Sequence, residues 1–281
     1  MSGSMTADEY CQQKAAASGS SFYYSFLFLE PPRRQAITAL YAFCREVDDV
    51  VDECRDAALA RTKLTWWRGE IAALYAGRPS HPVSTALLQA ARRFDLPQEQ
   101  LVEIIDGMEM DLAHNHYADF KALHLYCYRV ASVVGLLAAE IFGYSDRRTL
   151  KYAHDLGLAF QLTNIIRDVG EDARRGRVYL PDDEMARFGV SADDLAGARH
   201  SESFRQLMDY QAERAVHYYE RALAQLPAAD RRAQRPGLVM AAIYRALLDE
   251  IRRAGYPVLD RRTTLTPLRK LWIAWRTWTR G

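Results

Sequence analysis

Two stretches of this 281-residue chain carry acids where the helix around them is otherwise apolar. The first is Tyr41-Ala-Phe-Cys-Arg45-Glu-Val-Asp48-Asp49-Val-Val-Asp52-Glu53. At about 100° per residue, Tyr41, Arg45, Asp48 and Asp52 form one narrow stripe, with Leu40, Cys44, Val47 and Val51 on the face beside it. The second is Gln161-Leu-Thr-Asn164-Ile-Ile-Arg167-Asp168-Val-Gly-Glu171-Asp172, in which Gln161, Asn164, Asp168 and Asp172 again share a stripe. Carboxylates one turn apart repel each other. In an apolar interior each also costs several kcal/mol unless a cation or a proton neutralises it. Two such stripes facing one another make an oxygen-rich cage that requires positive charge.

The donors in that cage are all hard oxygens, a set that suits magnesium, which takes one or two carboxylates and keeps positions for water and phosphate oxygens. Other metal chemistries lack their motifs: there is no Glu-x-x-His pair, no His-Glu-x-x-His, no calcium loop and no glycine-rich phosphate loop. Aspartates on two walls over an apolar floor point to a substrate with a diphosphate head and a hydrocarbon tail. Solvated helix faces are the competing explanation, and the matched spacing of two separate stripes argues against it.

The elements that position these stripes read as helices throughout. Residues 1–17 are a fraying helix, and the Ser18–Ser21 cluster breaks it, either as a cap for the next helix or as donors to an anion. Pro31-Pro32 separates Phe22–Leu29 from the helix of the first stripe. Helical spacing continues over 56–76 and 83–94, and Pro97 reads as the first-turn proline of a helix bearing Leu101, Ile104, Ile105, Met108 and Leu112. Asp111 on that helix faces either the interior or solvent. Phe120–Phe142 is apolar nearly all round and belongs in a core. Its Gly135 admits a close backbone or a bulky ligand. The second stripe lies on a helix from about Arg147 to Asp172. A basic turn, Arg174–Pro181, comes after it, and then a surface-like segment over 182–200. Amphipathic helices over Phe204–Leu226 and Pro236–Ala254 complete the bundle. No segment alternates with period two, no repeat recurs and no linker composition appears. The expected fold is all-α: a single domain over 1–281, with 265–281 a basic aromatic tail.

A net charge of +1 gives no sign of a nucleic-acid partner. The four cysteines, Cys11, Cys44, Cys54 and Cys127, are widely spaced and read as reduced thiols. Without a basic-then-apolar leader or an uncharged 18-residue run, neither a signal peptide nor a membrane-spanning helix is expected. The chain is therefore expected in the cytoplasm. Trp272, Trp275 and Trp278, interleaved with Arg269, Lys270, Arg276 and Arg280, either pack on the domain or lie at the inner face of a membrane.

Asp48-Asp-Val-Val-Asp52-Glu53, Tyr126-Cys-Tyr128-x-Val130, the Gln161–Asp172 motif and Arg177-Val-Tyr179-Leu-Pro181 together resemble the squalene/phytoene synthase family, from about Ser18 to Arg262. The spacing of the second motif differs from that of chain-elongating prenyltransferases and terpene cyclases. The resemblance implies an isoprenoid synthase bundle around a central cavity and the head-to-head joining of two prenyl diphosphates. It further implies that Asp48, Asp52, Asn164, Asp168 and Asp172 hold magnesium. Ser21, Arg45, Arg167, Arg177, Tyr244 and Arg261 would contact diphosphate oxygens, and Tyr41 and Tyr126 would lie near the reacting carbons. Gln161, Phe22, Val130 and Gly135 would border the substrate. Where the family's usual opening is Ser-x-Ser-Phe, this chain reads Gly19-Ser20-Ser21-Phe22. That opening and the closing Leu268–Arg276 segment resemble family members that convert two farnesyl diphosphates into presqualene diphosphate for a downstream squalene-pathway enzyme. Phytoene synthesis from the longer geranylgeranyl diphosphate is the alternative. For the pocket floor, Phe22, Phe26, Val130, Val134, Leu137 and Leu158 are the candidates, each equally explicable as core.

Overall fold

The computed structural model describes residues 5–17, 25, 26, 28–54 and 56–280, and every regular element among them is a helix. The first half comprises α1 (Ala7–Ala17), α2 (Pro31–Glu53), α3 (Ala57–Tyr75), α4 (Pro82–Ala91) and α5 (Gln98–Ala113). Then α6 (Phe120–Cys127) runs through a π-helical turn (Tyr128–Ser132) into α7 (Val133–Phe142). The second half holds α8 (Arg148–Arg174), the short α9 (Asp182–Phe188) and α10 (Ala192–Ala196), and then α11 (Glu202–Gln225), α12 (Arg235–Arg253) and α13 (Pro267–Arg280).

Local chemistry accounts for the boundaries. Pro31 and Pro32 do not precede α2 but start it, at positions whose N–H groups have no helical partner in any case. Pro97 stands one residue earlier than expected, as the N-cap of α5. Asp56, Asp119 and Ser201 accept hydrogen bonds from the first turns of α3, α6 and α11, closing otherwise orphaned donors. The segment read as plain surface over 182–200 contains α9 and α10, which bury Met185 and Leu195.

Two hydrophobic cores share the molecule. One packs Ile37, Leu40, Phe43 and Val47 of α2 against α3, α4, α5 and α7. The other surrounds α8 with α6, α11 and α12 through Leu158, Leu162, Ile166, Tyr219 and Val239. Each fully buried large aliphatic or aromatic side chain contributes about 1.5–3 kcal/mol. The Phe120–Phe142 helix serves both cores, giving Leu123 and Cys127 to the second and Val133, Leu137 and Ile141 to the first. Despite its charges, that segment is long and apolar enough to cross a membrane; here it is a wall between the cores. Its close fit depends on glycine. A Cβ on Gly157 would stand 2.5 Å from the Ala131 carbonyl oxygen, one on Gly135 would stand 2.5 Å from that of Ala153, and one on Gly107 would meet Val130 Cγ1 at 2.7 Å. Thus Gly135, expected to admit a backbone or a ligand, makes room for α8.

Candidate active site

A cavity of about 650 Å³ opens along the seam between the two cores. From α2 it receives Tyr41, Arg45, Asp48 and Asp52, and from α8 it receives Gln161, Asn164, Arg167, Asp168 and Asp172. Both stripes read from the sequence therefore share one space. Six carboxylates (Asp48, Asp52, Asp111, Asp168, Glu171, Asp172) and six cations (Arg45, Arg167, Arg175, Arg177, Arg262, Lys270) line it. A mouth balanced in this way can receive a cation and an anion together.

The cations are not spread evenly over the acids. Arg45 bonds Asp48 at 2.6 Å and Asp49 at 2.5 Å, and Asp49 also faces Lys14 of α1 at 2.8 Å. Across the mouth, Arg177 reaches from the turn after α8 to Asp52 at 2.9 Å, with Arg175 at 3.5 Å. Asp168 is held by Arg167 Nε at 2.8 Å and by Arg262 Nε at 2.9 Å. Although burial opposes its charge, the bond to Asp168 keeps the Arg167 guanidinium firmly protonated. Asp172 has no ion pair among the described residues. Burial, then the neighbouring charges of Asp168 and Glu171, push its carboxyl up to about 7. Burial likewise raises Asp48 to about 6, against the pull of Arg45.

A magnesium ion would find an unused donor here. The Asn164 side-chain oxygen is buried without a hydrogen-bond partner, while its amide nitrogen donates to Gln161 Oε1 at 3.3 Å. An orphaned buried oxygen costs about 1–3 kcal/mol, and a cation beside the Asp168–Asp172 pair would remove that cost. Among the described residues no three His, Cys, Asp or Glu side chains converge on an ion as they stand. Guanidinium groups occupy the carboxylates of Asp48, Asp52 and Asp168 instead. The residues fit an oxygen-ligated divalent cation.

Beside this cage lies a cluster that sequence reasoning left undecided. Asp111 of α5 accepts hydrogen bonds from Tyr179 at 2.8 Å and Tyr126 at 3.0 Å. The Tyr126 and Tyr179 rings stack at 5.2 Å, with Tyr117 behind them. Burial raises Asp111 to about 6 despite the two hydroxyls. Its spacing, three residues after Met108 and seven after Ile104, is the signal that it lies on the buried face of α5.

Deeper in, the lining turns apolar: Phe26, Leu40, Val130, Val134, Phe142, Leu156 and Met240. Along α8 the cavity extends from Asp168 to Tyr152, sixteen residues or about 24 Å at 1.5 Å each. The buried Tyr152 hydroxyl at that end has no partner. Of the floor candidates, Leu137 and Leu158 are absent from the lining and are fully buried in the cores. Tyr244 lines the wall next to Phe160, ring centroids 4.9 Å apart. Arg261, expected at the diphosphate, is exposed and off the cavity; Arg262 takes its place. The Arg261 amide still closes the 3₁₀ turn Pro257–Leu259 on the Pro257 carbonyl at 3.1 Å, and the chain beyond it is irregular. Gly170 sets that turn on α8, since a Cβ there would stand 2.5 Å from the Leu259 carbonyl oxygen. Ser21 and Phe22 lie outside the described residues.

Comparison with known proteins agrees with this geometry. The profile of the family described as squalene/phytoene synthase matches residues 15–269. A phytoene synthase of Arthrospira platensis is 36% identical over 276 residues, covering 94% of this chain and 89% of its own. A 15-cis-phytoene synthase of Synechococcus elongatus is also 36% identical, over 277 residues, covering 94% of this chain and 90% of its own. Among solved structures, a dehydrosqualene synthase in complex with ligand superposes with a TM-score of 0.89 at 29% identity, over 98% of this chain and 96% of that one. Squalene synthase HpnC from Alicyclobacillus acidocaldarius gives 0.79 at 27% identity, over 89% of this chain and 94% of that one.

Proposed function

The chain belongs to the squalene/phytoene synthase family of prenyltransferases acting on isoprenyl diphosphates, and we propose that it joins two farnesyl diphosphates head to head into presqualene diphosphate. The observation that carries the reading is the meeting of two aspartate stripes over one long apolar cavity. An arrangement of that kind supports a charged head at the mouth and a hydrocarbon tail along α8.

In this reading Asp48 and Asp52 on one wall and Asn164, Asp168 and Asp172 on the other would hold magnesium. Bound there, the metal supplies Lewis-acid charge to the departing diphosphate. Arg45, Arg167, Arg177 and Arg262 turn their guanidinium groups from carboxylates to diphosphate oxygens as the head group enters, a planar fork suited to both. The donor's carbon–oxygen bond breaks, its electron pair leaves with the diphosphate, and an allylic cation remains. The double bond of the second chain attacks that carbon. Tyr41 and Tyr126 offer ring faces that stabilise positive charge in the apolar cavity. Loss of a proton closes the cyclopropane. The Tyr126–Asp111 pair accepts it, because burial gives that carboxylate a proton affinity far above an ordinary one. Presqualene diphosphate then passes to a downstream squalene-pathway enzyme.

The similarity to named phytoene synthases at 36% identity favours a second reading, the same chemistry on geranylgeranyl diphosphate. Mass spectrometry of products formed with magnesium from each diphosphate, with and without NADPH, decides between them. A cyclopropyl diphosphate from farnesyl diphosphate, unchanged by NADPH, is the expected result. Phytoene from the longer substrate gives the second reading, and no product from either overturns both.

A further inference from the structure

The last helix has two faces of different character. Inward, α13 buries Ile273 and Ala274 and sets Trp278 against Phe28, ring centroids 5.1 Å apart. Outward it exposes Leu268 (80%), Leu271 (42%), Trp272 (54%) and Trp275 (59%). The spacing 268, 271, 272, 275 is a single helical stripe, and it includes two of the largest apolar side chains in the protein. Its border is cationic. The exposed Arg276 lies over the Trp272 ring at 5.1 Å, and α13 contains no acidic residue. The stripe also adjoins the cavity, since Leu265 and Lys270, just before and within the first turn of α13, line it.

We propose that this face docks on an anionic lipid surface, with the four exposed apolar side chains at the headgroup–acyl boundary and Arg276 against lipid phosphates. At 14 residues, about 21 Å, α13 is too short to span a bilayer. It is suited to lie in the interface, where tryptophan and arginine both partition favourably. A second copy of the chain fits the same face poorly. Two-fold pairing sets the stripe against itself and brings the Arg276 of both copies into the seam with no acid on the helix to compensate. Docked in this way, the cavity mouth lies beside the bilayer, the phase in which a hydrocarbon product dissolves.

The test is flotation of the full chain with vesicles of equimolar phosphatidylglycerol and phosphatidylcholine, compared with phosphatidylcholine alone, in magnesium-free, low-salt buffer. No substrate is present, so the outcome is independent of which diphosphate the enzyme uses. The wild type floats with the anionic vesicles. Trp272→Ser with Trp275→Ser lowers partition roughly tenfold or more, while the unfolding temperature stays at the wild-type value because both rings are exposed. Arg276→Gln lowers partition about fivefold on anionic vesicles and leaves binding to phosphatidylcholine unchanged. Absence of flotation, or equal flotation of the double variant, overturns the proposal. So does a dimer in sedimentation equilibrium that depends on Trp272 and Trp275 while vesicles are ignored, which would assign the face to a second copy.

Discussion

Buried acids in this protein fall into two regions with opposite electrostatics. In the frame, Asp230 sits at the start of α8 and accepts four hydrogen bonds, from the Ser145 amide (2.7 Å) and hydroxyl (2.6 Å), the Asp146 amide (3.1 Å) and the Thr149 hydroxyl (2.7 Å). Burial alone would raise its carboxyl, but these donors hold it at about 2. Asp155 is served in the same way by Arg221, Gln225 and His154, and Glu70 by Ser80 and the His81 amide. At the mouth, burial instead pushes Asp48 and Asp111 up to about 6 and Asp172 to about 7. Around the acids that hold the fold together the donors outweigh burial, whereas at Asp48, Asp111 and Asp172 burial outweighs the partners present. That difference marks where a cation and a charged head group are expected.

The contrast can be broken most sharply by Asp52→Asn or Asp168→Asn. Each is expected to lower turnover by about 10²–10³ or more; Asp52→Asn leaves the unfolding temperature of the metal-free protein close to wild type, whereas Asp168→Asn lowers it by leaving the buried Arg167 without its partner. Diphosphate-release kinetics and calorimetry read the two effects, and near-wild-type rates would remove the metal cage. Asp230→Ala should do the reverse. It leaves the Ser145 and Thr149 donors unmatched and costs about 3 kcal/mol in urea unfolding, while turnover per folded molecule is unchanged.

Stability against pH sharpens the same division. The folded-state values of Asp48, Asp111 and Asp172 exceed the unfolded value of about 3.9. Their stabilising contribution is complete below about pH 4 and is lost as the pH rises through 6 and 7. Metal-free protein should therefore lose stability between pH 5 and 8. Magnesium should raise the unfolding temperature more at pH 8 than at pH 5. Asp230, with its depressed value, contributes above about pH 4 and fails only as the pH falls through 2. The smallest effect is expected from Asp111→Asn, which keeps an acceptor for one tyrosine but loses the base. About tenfold slower turnover with unchanged stability at pH 7 is the outcome to measure, and full activity would remove Asp111 from the chemistry.

The stripes are legible because acids at helical spacing among apolar neighbours violate the usual pattern, and nothing but a site explains them twice. The rest is hidden where that pattern has no purchase. The irregular segment after Pro257–Leu259 has no helix or strand period to fix which residue faces the cavity, which is why the sequence points to Arg261 while Arg262 lines it. Tyr179 lies in a turn and meets Asp111 through a chain separation of 68 residues. Leu137 and Leu158 cannot be told from lining residues by sequence because their helices are apolar on more than one side. Asp111 is half legible, since its spacing is visible but not the two hydroxyls that receive it.

The π turn between α6 and α7 leaves a trace of its own. Tyr126, Val130, Val134, Ala138 and Phe142 all line the cavity, each four residues after the last. In a regular α-helix, steps of four drift by about 40° each, so Phe142 would have rotated about 160° from Tyr126 and faced away. A turn closed by bonds from i to i+5 accommodates an extra residue and takes back part of that drift. A strict period of four, sustained over five positions in an apolar helix, is thus the written form of an underwound turn and of a wall kept flat for a ligand.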